Sequence, residues 1–415
     1  MKNMSFLFLL DDIPPCKSAN GICAEKIMQR MILDYKARVS CLCFQKENKD
    51  NVELEKDYQV YQIKRKMAER ITCYCRKHSS PFKRILLFAF RSLFFLYRKL
   101  LIFWWPVDSL SAAVRFYMKS KRLIEEQGIT HIIAISFPGE TMLAAKWLKR
   151  KYKEKIKIIL YPLDITICGR ASSKGIERYL TGFGGRRFFK SVCKDADSIL
   201  VLENVYKLFC SSIDKSYHQK FLSCGIPMIQ NHADGILSKS NHDILHIVYA
   251  GSLLYELRNP IFLLDLFENQ TDGYSLFFDF YGTIDEKLKV VMNKRYQKIT
   301  IIQHDWIDES ELNDVLWKAD FLLNIGNTET HLIPSKLFKY MSMGKPIIHL
   351  AFCEEDPCLP YLEKYGKSVV INPHKNNHNH IISDILKIST MTVDPEALFP
   401  TCTANYTARR IMQVI

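Results

Sequence analysis

Residues 322–350 read LLNIGNTETHLIPSKLFKYMSMGKPIIHL. The apolar run Phe321–Ile325 reads as a buried strand and Gly326–Leu332 as a polar loop. Pro334-Ser335-Lys336 opens a short helix that stops at Gly344, and Pro346–Leu350 reads as the next strand. Strand, loop, helix and strand make the repeating unit of a parallel α/β sheet. The helix start leaves free backbone N–H groups at the positive end of the helix dipole, with Ser335 and Lys336 beside them, a seat for a phosphate. An ordinary αβ turn with a capping serine has the same local pattern.

The same rhythm runs outward from this stretch. On its N-terminal side Leu245–Ala250, Ser275–Tyr281 and Ile299–Ile302 read as strands, with Asn259-Pro260 and Asp308 capping the helices Ile261–Glu268 and Glu309–Trp317. Residues 376–390 and Thr403–Ile415 read as helices. An earlier series starts at Ser5–Leu10 and continues through a helix at Ile22–Lys36. Its further strands are Val39–Phe44, Gln59–Ile63, Ile132–Ser136, Ile156–Leu163, Ser198–Leu202 and His218–Leu222. The polar run Asn231–Asp243 separates the two series. A chain of 415 residues suits about two domains. The expected boundaries are 1–236 and 244–395, with a final helix at 402–415. Loops at the carboxyl ends of such strands bind ligands. That makes Asn20-Gly21 a point of close approach in the first domain. It makes Asp164, at a strand end, either an acid–base group or a turn cap.

The net charge of +14 is unevenly placed. Residues 60–105 hold eleven Lys/Arg against the single acid Glu69, so this segment carries +10 of the total. Within 70–107, Arg84, Arg91 and Arg98 recur every seven residues on one helical stripe, among Leu and Phe, and the run ends in Trp104-Trp105. Three cations near the middle oppose a spanning helix. A helix lying in the plane of an anionic membrane surface fits, as does a buried helix whose arginines reach water. Apolar residues in bulk, without single aromatics in a polar groove, argue against nucleic acid.

Thirteen scattered cysteines without a Cys-x-x-Cys pair favour a reducing cytoplasm. No metal-ligand pattern stands out: Cys41/Cys43 and Cys73/Cys75 are too closely spaced, and His374–His380 reads as a polar loop. The start, MKNMSFLFLLDD, lacks the length and cleavage site of a signal segment and reads as the first strand.

The second domain resembles the GT-B glycosyltransferases, in particular the family-4-like group of bacterial polysaccharide and lipopolysaccharide enzymes. The matching residues are Tyr249-Ala250-Gly251-Ser252-Leu253, Arg258-Asn259-Pro260, Asp305-Trp306-Ile307, Ile333–Met341 and Gly344-Lys345-Pro346. The first domain matches in outline. The resemblance implies two Rossmann-like doubly wound α/β domains facing a cleft, with the last helix crossing back to the first. It implies a UDP- or GDP-linked sugar as substrate, with no cofactor and no metal. The diphosphate would meet Gly251, Ser252, Arg258, Ser335 and Lys336, in agreement with the anion seat read from the residues. Base and ribose would lie against Trp306, Ile307 and Lys339, and the donor sugar near Asn327, Glu329 and His331. The acceptor, a glycan or lipid-linked sugar, would lie near Asn20, Gly21 and Asp164, with Asp164 as the catalytic candidate. Arg84, Arg91, Arg98, Trp104 and Trp105 would touch the inner face of the cell membrane.

One position departs from that pattern. The family carries two glutamates eight residues apart, which fall here on His331 and Lys339. The second normally accepts from ribose hydroxyls, which a lysine cannot do. Either Lys339 pairs with phosphate or Glu329 takes the role. The reaction that the resemblance implies is glycosyl transfer with retention. The alternatives are a nucleotide-sugar 2-epimerase on the same fold and a catalytically inactive scaffold.

Overall fold

The computed structural model describes residues 4–14, 18–45, 57–77, 88, 90, 92–94, 97, 99, 101–164, 166–170, 173, 175–230, 243–271, 273–293, 296–327, 333–375 and 380–414. The chain divides into two compact units, 1–227 with 404–415, and 228–403.

In the first unit β1 (Ser5–Leu9), α1 (Ala19–Tyr35), β2 (Arg38–Phe44), β3 (Gln59–Ile63) and α2 (Met67–Lys77) come first. Then follow α3 (Leu110–Gln127), β4 (His131–Ser136), α4 (Gly139–Tyr152), β5 (Lys157–Pro162), α5 (Gly175–Asp195), β6 (Ser198–Leu202), α6 (Tyr206–Ser212) and β7 (Phe221–Cys224). The sheet order is β3-β2-β1-β4-β5-β6-β7, with every pair parallel. β1, β4 and β6 are buried at every position, because helices cover both faces of a parallel sheet.

The second unit holds β8 (Ile244–Ala250), α7 (Ile261–Asn269), β9 (Ser275–Tyr281), α8 (Glu286–Met292), β10 (Ile299–His304) and α9 (Glu309–Lys318). It continues with β11 (Phe321–Ile325), α10 (Ser335–Ser342), β12 (Ile347–Leu350), α11 (Leu359–Tyr365), β13 (Ser368–Ile371), α12 (Ile381–Ser389) and α13 (Pro395–Leu398). Its sheet order is β10-β9-β8-β11-β12-β13, again all parallel. The final helix, α14 (Ala404–Gln413), belongs to the first unit, where Ala404, Ala408 and Ile411 join the core. Both sheets are doubly wound, and the strand order reverses between β1 and β4 and between β8 and β11. Those two switch points are where such sheets bind ligands.

Two local expectations need correction, and two elements are additional. Asn20 and Gly21 sit in the first turn of α1, not in a loop. Ser18 caps this helix by accepting from the Gly21 N–H at 3.0 Å, and Gly21 is buried. The strand expected at His218–Leu222 begins at Phe221, because Lys215–Lys220 form a 3-10 turn in which the His218 ring bonds the Cys210 and Ile213 carbonyls. The sixth strand of the second sheet, β13, and α11 before it are short and carry weak periodicity; the sequence reading passed over both.

A buried carboxylate ties the first unit together. Glu140, in the first turn of α4, is fully buried. Its Oε1 accepts from the Asp108 and Ser109 N–H groups at 3.1 and 2.7 Å and from Lys66 Nζ at 2.9 Å. The chain entering α3 and the chain entering α2 are thus pinned to the start of α4.

Candidate functional site

At the switch point of the second sheet, β8 runs into Gly251-Ser252 and β11 into Gly326-Asn327, and α10 opens at Ser335. A cavity of about 100 Å³ lies there, lined among others by Tyr249, Arg258, Asn324, Ser335, Lys336 and Tyr340. That volume suits a phosphate-sized group and not a whole nucleotide. Pro334 precedes α10 without a side-chain cap on the first turn, so the helix start offers its backbone N–H groups.

Close packing shapes the turn after β8. A Cβ on Gly251 would lie 2.7 Å from Tyr249 Oη and 3.2 Å from Lys336 Nζ. Gly282 has φ +125°, and a Cβ there would lie 2.4 Å from the Gly251 carbonyl oxygen, so a side chain fits at neither position. Tyr340, one turn into α10, accepts from the Ala250 N–H at 3.0 Å, and Tyr249 Oη donates to the Ser252 carbonyl at 3.2 Å. Lys336 Nζ donates to the Ala250 carbonyl. Arg258 Nε donates to the buried Asn327 Oδ1 at 2.8 Å. The structure thus gathers Gly251, Arg258, Asn327, Ser335 and Lys336 at one switch point. Ser252 stands beside them, exposed and hydrogen-bonded to Thr283 at 2.8 Å.

Several of these groups have altered acidities. Burial, then the neighbouring Lys339 and Arg258, push Lys336 down to about 8, against a smaller opposing pull from Glu309. Burial pushes the Tyr249 phenol up to about 12 despite Arg258. A seat that crowds cations together and holds one near neutrality is poised for an anion. Above about pH 8, binding of an anion that prefers charged Lys336 is coupled to uptake of a proton by Lys336. Affinity for a nucleoside diphosphate should therefore fall above that pH, by up to about tenfold per unit. Lys336→Met should flatten the slope. Isothermal titration across pH 7 to 9.5, roughly the span around that value, reads both; an unchanged slope in the variant would remove Lys336 from the seat.

Lys339, the position that departs from the family pattern, lies on α10. Its Nζ pairs with Glu309 Oε1 at 2.6 Å. Glu309, at the start of α9, thus puts a carboxylate beside the position where the resembled family has one. The sequence reading missed it, because thirty residues separate the two and Glu at a helix start is common. Trp306 and Ile307 follow β10, two strands from β8, with Trp306 half exposed. Glu329 and His331 lie outside the described residues.

In the first unit the structure joins two of the sequence candidates. Asp164 Oδ2 accepts from Asn20 Nδ2 at 2.5 Å and from the Phe137 N–H at 3.1 Å, and Asn20 Nδ2 also reaches the Ser136 carbonyl at 3.1 Å. Asn20 therefore bridges the ends of β4 and β5 from the first turn of α1. Burial raises the Asp164 carboxyl, and these two hydrogen bonds oppose the rise. Asp11, just past β1 at the same switch point, was missed. Burial and Asp12 push its carboxyl up to about 6. The signal was present as Asp11-Asp12 directly after the first strand.

The membrane-contact candidates divide. Arg84, Arg91 and Arg98 lie outside the described residues. Trp104 is 60% exposed, but Trp105 is 6% exposed. Its indole donates to the Thr166 carbonyl at 3.1 Å, and the Arg170 guanidinium covers its ring at 4.5 Å. Trp105 is therefore a core residue and no membrane anchor. Beside exposed Phe103 and Trp104 runs α5. There Gly184 lets the helix approach so closely that a Cβ would lie 3.1 Å from the Phe103 carbonyl. Ile176, Tyr179 and Phe183 are exposed along one stripe of α5, and Arg187 and Lys190 continue it. Among the described residues no helix is long and apolar enough to cross a membrane.

No protein-family model matches the chain, and no curated protein does. Solved structures do. A lipopolysaccharide outer core galactosyltransferase, WaaB, in its apo form is 12% identical, with 99% of each chain covered and a TM-score of 0.59. A glycosyltransferase from Rickettsia africae is 10% identical over 100% of this chain and 98% of that one, TM-score 0.62. Anabaena Alr3699/HepE, in complex with UDP and glucose, is 10% identical over 99% and 98%, also at 0.62. Identities this low carry the architecture alone. In architecture, two parallel doubly wound units closed by a last helix that rejoins the first, this chain has the GT-B fold.

Proposed function

We propose that this chain is a glycosyltransferase that moves a sugar from a UDP- or GDP-linked donor to a glycan or lipid-linked acceptor in cell-surface polysaccharide synthesis. The observation that carries this reading is the anion seat at the β8/β11 switch point. Arg258, Lys336 and the N–H groups opening α10 converge there on a cavity sized for phosphate. On a similar fold, HepE was solved with UDP and glucose. When the glycosidic bond to the diphosphate breaks, negative charge grows on the leaving oxygens. Two cations and a helix start aimed at that charge do the work a metal ion does elsewhere. Asp164 is the acid–base candidate on the acceptor side, and retention of configuration follows the resemblance.

The reading places the enzyme on the inner face of the cell membrane. Support comes from the exposed Phe103, Trp104, Ile176, Tyr179 and Phe183, with Arg187 in line to meet anionic head groups. A panel of nucleotide-sugars, incubated with lipid-linked acceptors in anionic vesicles, tests both parts. The expected result is nucleoside diphosphate released only with acceptor, and protein that sediments with the vesicles less well when Phe103 and Trp104 are both serine. Donor isomerised without acceptor would mean an epimerase. Donor bound without turnover would mean a scaffold. Undiminished sedimentation would move the membrane contact elsewhere.

A further inference from the structure

We propose that His349, Asp356 and Cys358 form a buried site for one zinc-type divalent ion, behind the anion seat. His349 lies on β12, and Asp356 and Cys358 lie on the connection to α11. All three are essentially without solvent exposure, and one ligating atom from each falls within 4.8 Å of the other two. The set offers an imidazole nitrogen, a carboxylate oxygen and a sulfur, the donors zinc takes.

The spacing fits. Bonds of about 2.0 Å to nitrogen and oxygen, at tetrahedral angles, put those two ligands about 3.3 Å apart. His349 Nε2 and Asp356 Oδ2 are 3.3 Å apart. A water would fill the fourth position. The surroundings fit as well. His349 Nδ1 lies 2.8 Å from the side-chain amide of Asn324, its register partner on β11. With Nε2 on the ion, Nδ1 carries a proton, and a half-turn of that amide puts its oxygen there to accept it. Metal-bound imidazoles are usually oriented in this way. The other carboxylate oxygen, Asp356 Oδ1, accepts from the Cys358 N–H at 2.8 Å, which fixes the loop. A Cβ at Gly326 would lie 2.2 Å from Asp356 Oδ2, so the carboxylate packs directly on the backbone after β11, where only glycine fits.

Binding would replace the thiol proton of Cys358, which leaves to solvent, so uptake of the ion releases acid. The ion stays away from the reacting atoms. Its effect is to lock Gly326 and Asn327, and through Asn327 Oδ1 the Arg258 guanidinium. This holds whatever sugar the chain transfers, and whether or not it transfers one.

The test uses the full chain stripped with chelator and titrated with Co²⁺, then loaded with Zn²⁺. The expected result is one tight equivalent, with the intense visible absorption of a tetrahedral ion and a thiolate-to-cobalt charge-transfer band. Cys358→Ser should lose that band, and Asp356→Asn should weaken binding about tenfold or more. Cys353→Ser, on the same connection but outside the cluster, should keep both. X-ray absorption at the zinc edge of the unaltered chain covers the case in which a variant fails to fold. It should show one sulfur at about 2.3 Å and three nitrogen or oxygen neighbours at about 2.0 Å. No stoichiometric binding, a shell without sulfur, or a band that survives Cys358→Ser would overturn the site.

Discussion

Replacing Arg258 with alanine is expected to weaken binding of the nucleotide-sugar, or of the free nucleoside diphosphate, by about 2 kcal/mol, roughly 30-fold. The magnitude is that of a charge-assisted hydrogen bond to phosphate in a partly desolvated site. Arg258 is oriented for that contact. Its Nε donates to Asn327 Oδ1 at 2.8 Å, which fixes the guanidinium on the cavity wall. Arg258→Lys should recover part of the loss, since it restores the charge without the planar fork. A general loosening of the fold would lower the melting temperature along with affinity. Titration calorimetry beside thermal unfolding separates the two. Donor affinity unchanged in Arg258→Ala would remove the diphosphate from this switch point.

Glu140→Ala is expected to cost the first unit about 3 kcal/mol of stability. It strips the acceptor from two N–H groups, Asp108 and Ser109, and from Lys66 Nζ, and leaves a space where a fully buried side chain had been. Glu140→Gln decides which of those losses matters. Burial raises the Glu140 carboxyl above its ordinary value, with Lys66 pulling the other way and losing. The charge is thus a net burden, and the hydrogen-bond acceptors carry the contribution. Glutamine keeps an acceptor and should cost about 1 kcal/mol or less.

The sign with pH follows. A carboxyl raised on folding contributes stability that is fully present below its unfolded value of 4.5. That contribution is lost as pH rises through the higher folded value. Glu140→Gln should lack this component, which denaturant titrations from acid to neutral pH would show. A glutamine variant as unstable as the alanine variant would mean that the Lys66 ion pair dominates after all.

What could be read from the residues has a common physical character. Strand runs such as Ser198–Leu202 and Phe321–Ile325 fall where the structure has them, because a strand covered on both faces is apolar at nearly every position. Helix ends set by Asp308 and by Asn259-Pro260 were legible for a similar reason: a cap acts on backbone two or three residues away. So was the helix start at Ser335 and Lys336, which needs only a strand end and a helix start in succession. These are short-range causes, and together they determined the α/β class, the two series of strands and the helix start at Ser335.

The tertiary structure decided everything that depends on residues far apart in the chain meeting. It set Lys339 against Glu309, thirty residues away, and so supplied a carboxylate the local pattern lacked. Trp104 and Trp105, identical neighbours in sequence, were sent to opposite environments by the Thr166 carbonyl and the Arg170 guanidinium waiting on one side only. Asn20, from the first turn of a helix, was set on Asp164, 144 positions later. Burial and electrostatic environment act through space, and a linear string of residue types does not hold those distances. The stretch 322–350 shows both kinds of cause. Its strands and its helix follow from its own residues, while what Lys336, Lys339 and Asn324 do there was settled by Ala250, Glu309 and His349.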